Sequence, residues 1–163
     1  MTDHDLSRRA AKLVAQVQEV AKGALPAGEQ VLVAVRVNRE GAVAATAAGA
    51  IGGAAGAVVA GKILEASGAE GEHADLFSDL QMALGLTDRS VVVTSRSSLS
   101  GKPKAFRGAI PLEHVEGVTH EPGRMGDELH LRLRSGTEVT FSCVKVDPGE
   151  VFAQALTERL GRS

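Results

Sequence analysis

DELHLRLRSGTEVTF, residues 127–141, alternates with a period of two on both sides of a Ser-Gly pair. Successive side chains of an extended chain point to opposite faces, so Leu129, Leu131 and Leu133 share one face and His130, Arg132 and Arg134 the other. Ser135-Gly136 is a compact connection, after which Val139, Phe141 and Cys143 resume an apolar face. The stretch therefore predicts an antiparallel hairpin. The alternation slips at Val144 to Val146, which reads as a bulge.

The same period extends toward the N-terminus. Phe106, Gly108, Ile110 and Leu112 alternate and run into HVEGVTH, with EPGRMGD as the loop before the hairpin. Met82, Leu84 and Leu86 alternate, TDRS makes a turn, and Val91 to Val93 open a strand that ends in the loop SRSSLSGKPKA. Earlier still, Val31, Val33, Val35 and Val37 alternate with Leu32, Ala34, Arg36 and Asn38. Two helices flank these strands. Leu6, Leu13, Val14, Val17 and Val20 form a helical stripe within residues 5–22, with Asp5 or Ser7 as cap and Gly23 as stop. At the other end Asp147 reads as a cap, Pro148 as the first helical position and Glu150 as the partner in a capping-box arrangement, ahead of Val151, Phe152, Ala155, Leu156 and Leu160. Several short antiparallel strands closed by a helix predict an α+β domain, a small barrel or a pair of orthogonal sheets, and not a parallel α/β fold.

ALGLTDRSVVVTSRS, FRGAIPLEHVEGV, DELHLRLRSGTEVTF and the helix DPGEVFAQALTERL, taken in order, resemble a bacterial pleckstrin-homology-like domain. The resemblance covers about residues 82–160, with EQVLVAVRVN as the first strand. It implies an antiparallel β-barrel of about seven strands capped by a C-terminal helix. It also implies a non-catalytic module that binds lipids, peptides or proteins. Where that fold has a hairpin between its first two strands, this chain has a long insertion, residues 39–80. Eukaryotic relatives hold phosphoinositides with basic residues of that loop, so no ligand residue carries over. The division that follows is an N-terminal amphipathic helix over 1–25 and a pleckstrin-homology-like domain over 29–163.

The insertion contains GAVAATAAGAIGGAAGAVVAGK, residues 41–62, uncharged between Glu40 and Lys62. As a helix, Ala42 to Ala60 would be about 28 Å long, near the thickness of a bilayer core. Its four strongly apolar residues offer only about −1 to −2.5 kcal/mol toward insertion. Gly49, Gly52, Gly53 and Gly56 cost roughly 4 kcal/mol of helix propensity. Gly49 with Gly53, and Gly52 with Gly56, stand four apart, an interval that lets two helix backbones approach closely. Packing within the chain, self-association and bilayer contact all remain open for 42–60.

Composition narrows the function classes. Aromatic residues make up 2% of the chain, with no Trp or Tyr, so stacking platforms for single-stranded nucleic acid are nearly absent. A formal net charge of −2 gives no general attraction to nucleic acid or anionic lipid, and any such attraction must be local. The loop cations Arg96, Lys102, Lys104 and Arg107 are the candidate anion contacts, against the plainer reading of a solvated loop. His114 and His120, with Glu113 and Glu121, stand about 20 Å apart on a strand, so no metal or other cofactor is expected. Cys143, the one cysteine, reads as a buried thiol in a reducing compartment. Asp88 and Arg89 read as turn chemistry, and GxSxG and HExxH signatures are absent. The N-terminus lacks a secretory pattern. The expectation is a cytoplasmic, non-enzymatic interaction module that binds a protein partner or itself, and not nucleic acid. The alternative is a membrane-associated protein using 42–60.

Overall fold

A computed structural model describes residues 3–39, 73–147 and 149–162. Segment 42–60 and its glycines Gly49, Gly52, Gly53 and Gly56 lie outside the described residues. The chain begins with helix α1 (Asp3–Ala21). Among the described residues seven strands follow: β1 (Val33–Arg39), β2 (Gln81–Leu86), β3 (Ser90–Arg96), β4 (Pro103–Pro111), β5 (Val115–Glu121), β6 (Glu128–Leu133) and β7 (Glu138–Cys143). Helix α2 (Gly149–Arg162) ends the chain. All the pairings are antiparallel, in the order β4-β3-β2-β1-β7-β6-β5.

The β6–β7 hairpin has the register that the alternation implies, with Leu129 opposite Phe141 and Leu131 opposite Val139. Gly136 turns the corner at φ +93°, a conformation in which a Cβ is strained. The expected barrel is not closed: β4 and β5 are the two ends of one sheet. Helix α2 makes closure unnecessary. It packs against β1, β2, β5 and β6 and buries Phe152, Ala153 and Leu156 in the core that both halves of the sheet share.

A second apolar cluster lies on the opposite face of β1–β4. There α1 sets Leu13, Val17 and Ala21 against Ala34, Ala83 and Val92. With both faces covered, β2 and β3 are buried almost residue for residue and lose the inside-outside contrast of a one-sided sheet. Small residues let the helix lie close. A Cβ on Gly85 would stand 2.9 Å from Val17 Cγ1 and 3.1 Å from Val31 Cγ1.

Four local expectations are corrected. Phe106 does not share a face with Ile110, because Phe106 pairs with Thr94 while Gly108 pairs with Val93, a bulge that sets Arg107 out of register. Phe106 therefore turns toward the α1 side and Ile110 toward the main core. No bulge continues β7 at Val144 to Val146, since the strand ends at Cys143 and a turn follows. The Asp147 carboxylate, read as a helix cap, is engaged by Arg36, whose backbone amide and Nε donate to Oδ2 at 2.8 and 2.9 Å and whose Nη2 donates to Oδ1 at 2.8 Å. The TDRS turn is built by Thr87, not by Asp88 and Arg89. Its hydroxyl oxygen accepts from the amides of Arg89 and Ser90 and its hydrogen goes to the buried Glu29 carboxylate, which also accepts from the Ser90 hydroxyl.

Candidate functional site

Between α1 and the β3–β4 loop runs a groove of roughly 200 Å³. One wall is the polar side of α1, with Arg9, Lys12 and Gln16; the other is the loop, with Ser100, Gly101 and Lys102. Arg36, from the outer face of β1, forms the floor. The apolar stripe of α1 is fixed on the sheet, so the flanking cations must project along its edge. The loop holds its own shape: Ser97 N donates to the Lys102 carbonyl and Gly101 N to the Ser97 carbonyl, both at 2.9 Å. Gly101 takes φ +70°, and the terminal nitrogens of Arg36 and Arg96 lie 3.6 and 3.7 Å from where its Cβ would stand. Glycine thus satisfies the backbone conformation, while at those distances a Cβ would be in ordinary contact.

The charge balance is uneven. Arg36 is held above its ordinary pKa, first by its hydrogen bonds to Asp147, with burial opposing and the Asp147 charge adding. Arg96 is shifted the other way by burial and then by the nearby Arg36 charge. Its Nη2 donates to Asn38 Oδ1 at 2.6 Å and its Nε to the Met82 carbonyl at 3.3 Å. Arg9, Lys12 and Lys102 make no ion pair among the described residues. Three uncompensated cations therefore converge on a floor whose guanidinium is already fixed in place.

The four loop cations that were candidate anion contacts are divided. Lys102 enters the groove, and Arg96 sits beneath it in a structural role. Lys104 lines a separate hollow with Leu80 and Leu99. Arg107, displaced by the bulge, pairs with Asp79 through two hydrogen bonds of 2.7 and 3.1 Å. Arg9, Lys12 and Arg36 were not foreseen as site residues. The one local signal was Arg36, a cation in the middle of a valine-rich strand.

The histidines weighed for a metal go to different partners. A His114 ring nitrogen lies 3.0 Å from one of His73, and His120 Nε2 lies 2.8 Å from Asp127 Oδ2. Glu121, Glu128 and His130 are a different set, whose ligand atoms lie within 4.8 Å of one another. Cys143 is buried, and its thiol is pushed up to about 12 by burial first and then by the Asp127 and Asp147 charges. No helix among the described residues is long and apolar enough to cross a membrane.

No protein-family model matches the chain, and no curated protein matches it. Among solved structures, it is similar to the hSac2 domain from the human phosphoinositide phosphatase Sac2, at 13% identity and TM-score 0.50, over 99% of this chain and 85% of that one. A DUF1696 family protein with a pleckstrin-homology domain from Shewanella loihica matches at 8% identity and TM-score 0.48, over 90% and 92% of the two chains. A pleckstrin homology domain from Shewanella amazonensis matches at 12% identity and TM-score 0.44, over 91% and 96%. At 13% identity the likeness to the hSac2 domain is one of fold alone. Seven antiparallel strands in this order, closed off by a C-terminal helix, give the chain a pleckstrin-homology-like fold.

Proposed function

We propose that the chain is a non-catalytic interaction module whose α1/β3–β4 groove takes an acidic or phosphorylated segment of a protein partner. The carrying observation is the convergence of Arg9, Lys12 and Lys102, unpaired among the described residues, on a floor where Asp147 has already fixed Arg36. An incoming carboxylate or phosphate meets donors on both walls, and little ordering is left for the floor to undergo. The non-catalytic reading rests on the missing nucleophile and metallohydrolase signatures and on a buried, protonated thiol. Fluorescence polarisation with a labelled phosphoserine peptide rich in glutamate tests it. Binding weakens as salt rises, because the attraction is screened. Lys12→Glu and Lys102→Glu each weaken it about tenfold, ~1.4 kcal/mol. Equal affinity of wild type and both charge reversals would remove the groove from the proposal.

A specific feature favours a second reading. Leu99 is 98% exposed at the tip of the β3–β4 loop, near Lys102 and Lys104. An apolar tip beside cations suits the interface of an anionic bilayer. Co-sedimentation with phosphatidylserine-rich vesicles, lost in Leu99→Ser, supports that reading; recovery wholly in the supernatant discards it. Self-association through 42–60 is a further form of the interaction proposal. It predicts that deletion of residues 41–66 lowers the number of chains per particle measured by light scattering.

A further inference from the structure

We propose that Glu121, Glu128 and His130 form a surface site for a divalent transition metal such as Zn²⁺, on the side of the β5–β7 half of the sheet away from the core. The site is made by strand register. Glu121 pairs directly with Glu128, and Thr119 with His130, which places the two carboxylates and the imidazole together at one end of the β5–β6 ladder. His130 Nε2 lies 3.7 Å from Glu121 Oε2 and 3.7 Å from Glu128 Oε2. Around tetrahedral zinc with bonds of about 2.1 Å, neighbouring ligand atoms stand about 3.4 Å apart, so small side-chain rotations bring the three into place.

Two observations point to an occupant beyond the acidic pair. The first is the state of the imidazole. Its Nδ1 lies 3.0 Å from Thr140 Oγ1, whereas Nε2 is shut off from solvent and has no hydrogen-bond partner. A ring pinned through one nitrogen, with the other aimed unsatisfied at two carboxylates, is the arrangement by which outer partners orient a metal-ligating histidine. The second is the pairing of the carboxylates. Like charges directly opposite on adjacent strands are destabilising, and a cation between them reverses the sign. Glu121 is the most exposed of the three, which leaves an entry path and an open coordination position for water.

Calorimetric titration of Zn²⁺ into the tag-free, EDTA-treated chain tests the site. Saturable uptake of one ion per chain is expected, with the ring resonances of His130 shifting in a histidine-selective ¹H–¹⁵N spectrum. His130→Gln and Glu128→Gln each weaken uptake by about 10- to 100-fold, and His120→Gln leaves it unchanged. Thr140→Val, which frees Nδ1, also weakens it and alters the tautomer pattern of His130 in the same spectrum. Glu128, His130 and Thr140 face away from the core, whereas His120 lies opposite Leu129 on the core side, and unchanged circular dichroism checks that each variant is folded. Absence of saturable uptake by the wild type overturns the proposal, as does uptake that survives both His130→Gln and Glu128→Gln. A spectrum in which His130 behaves as a plain imidazolium between two carboxylates, indifferent to Zn²⁺, overturns it as well.

Discussion

Cys143 shows how one side chain reads differently once its neighbours are known. Its alternation with Val139 and Phe141 predicts burial, and the thiol is buried at the end of β7. The sequence does not show that Asp127 and Asp147 stand close enough to oppose the thiolate further. Iodoacetamide at pH 8 is expected to leave the folded chain unmodified and to alkylate it fully in guanidinium, as read by mass spectrometry. The linkage has a definite sign. A thiol with a folded pKa near 12 against an ordinary 9.0 stabilises the fold fully below pH 9, and that contribution disappears as pH rises toward 12. Urea midpoints measured between pH 9 and 12 should therefore fall more steeply for wild type than for Cys143→Ala. Arg36 gives the complementary lesson. Its place in a valine-rich strand was visible, but its partner is more than a hundred positions away, and no local pattern names Asp147.

At the scale of elements, the strands were legible because one face of most of them is apolar, and the helices because their stripes are. The β4 bulge was not, since Phe106, Gly108 and Ile110 alternate without interruption. Only the pairing with β3 reveals that Arg107 is the extra residue. The groove was illegible for a related reason: Arg9 and Lys12 become site residues only when α1 lies across the outer face of β1 and β2. The Glu121–Glu128–His130 cluster likewise exists only through cross-strand register. Docking of α1 makes its own prediction. Gly85→Val would drive methyl groups into Val17 and Val31, both stiff at χ1. Overpacking of this kind is expected to cost about 2–3 kcal/mol. Thermal unfolding and limited proteolysis within α1 check it, and a wild-type melting temperature would show that the helix is not held there.

Across the whole molecule, the open sheet carries two apolar clusters, one on each face, and the larger is closed by α2. The seven-strand count and the terminal helix were legible; the absence of closure was not, because pairing partners cannot be read from alternation. Among the described residues, the two halves of the sheet meet where Val37 to Arg39 of β1 pair with Cys143 to Phe141 of β7. Beyond them the Arg36 carbonyl still accepts from Val144 N, and the Asp147 carboxylate takes the Arg36 amide in place of a strand carbonyl. Asp147 is 6% exposed, so Asp147→Asn would leave the Arg36 charge poorly matched at a half-buried position. A loss of about 2–3 kcal/mol is expected in urea unfolding, and a loss under ~0.5 kcal/mol would mean that the pair is dispensable.

That junction also has a mechanical meaning. The Arg36–Asp147 pair rivets β1, at the edge of one plate of strands, to the turn that leaves β7 at the edge of the other, so a molecule stretched across that junction in an optical trap should yield at lower force when Asp147→Asn removes the rivet. Any partner that bridges both plates would then act as a splint.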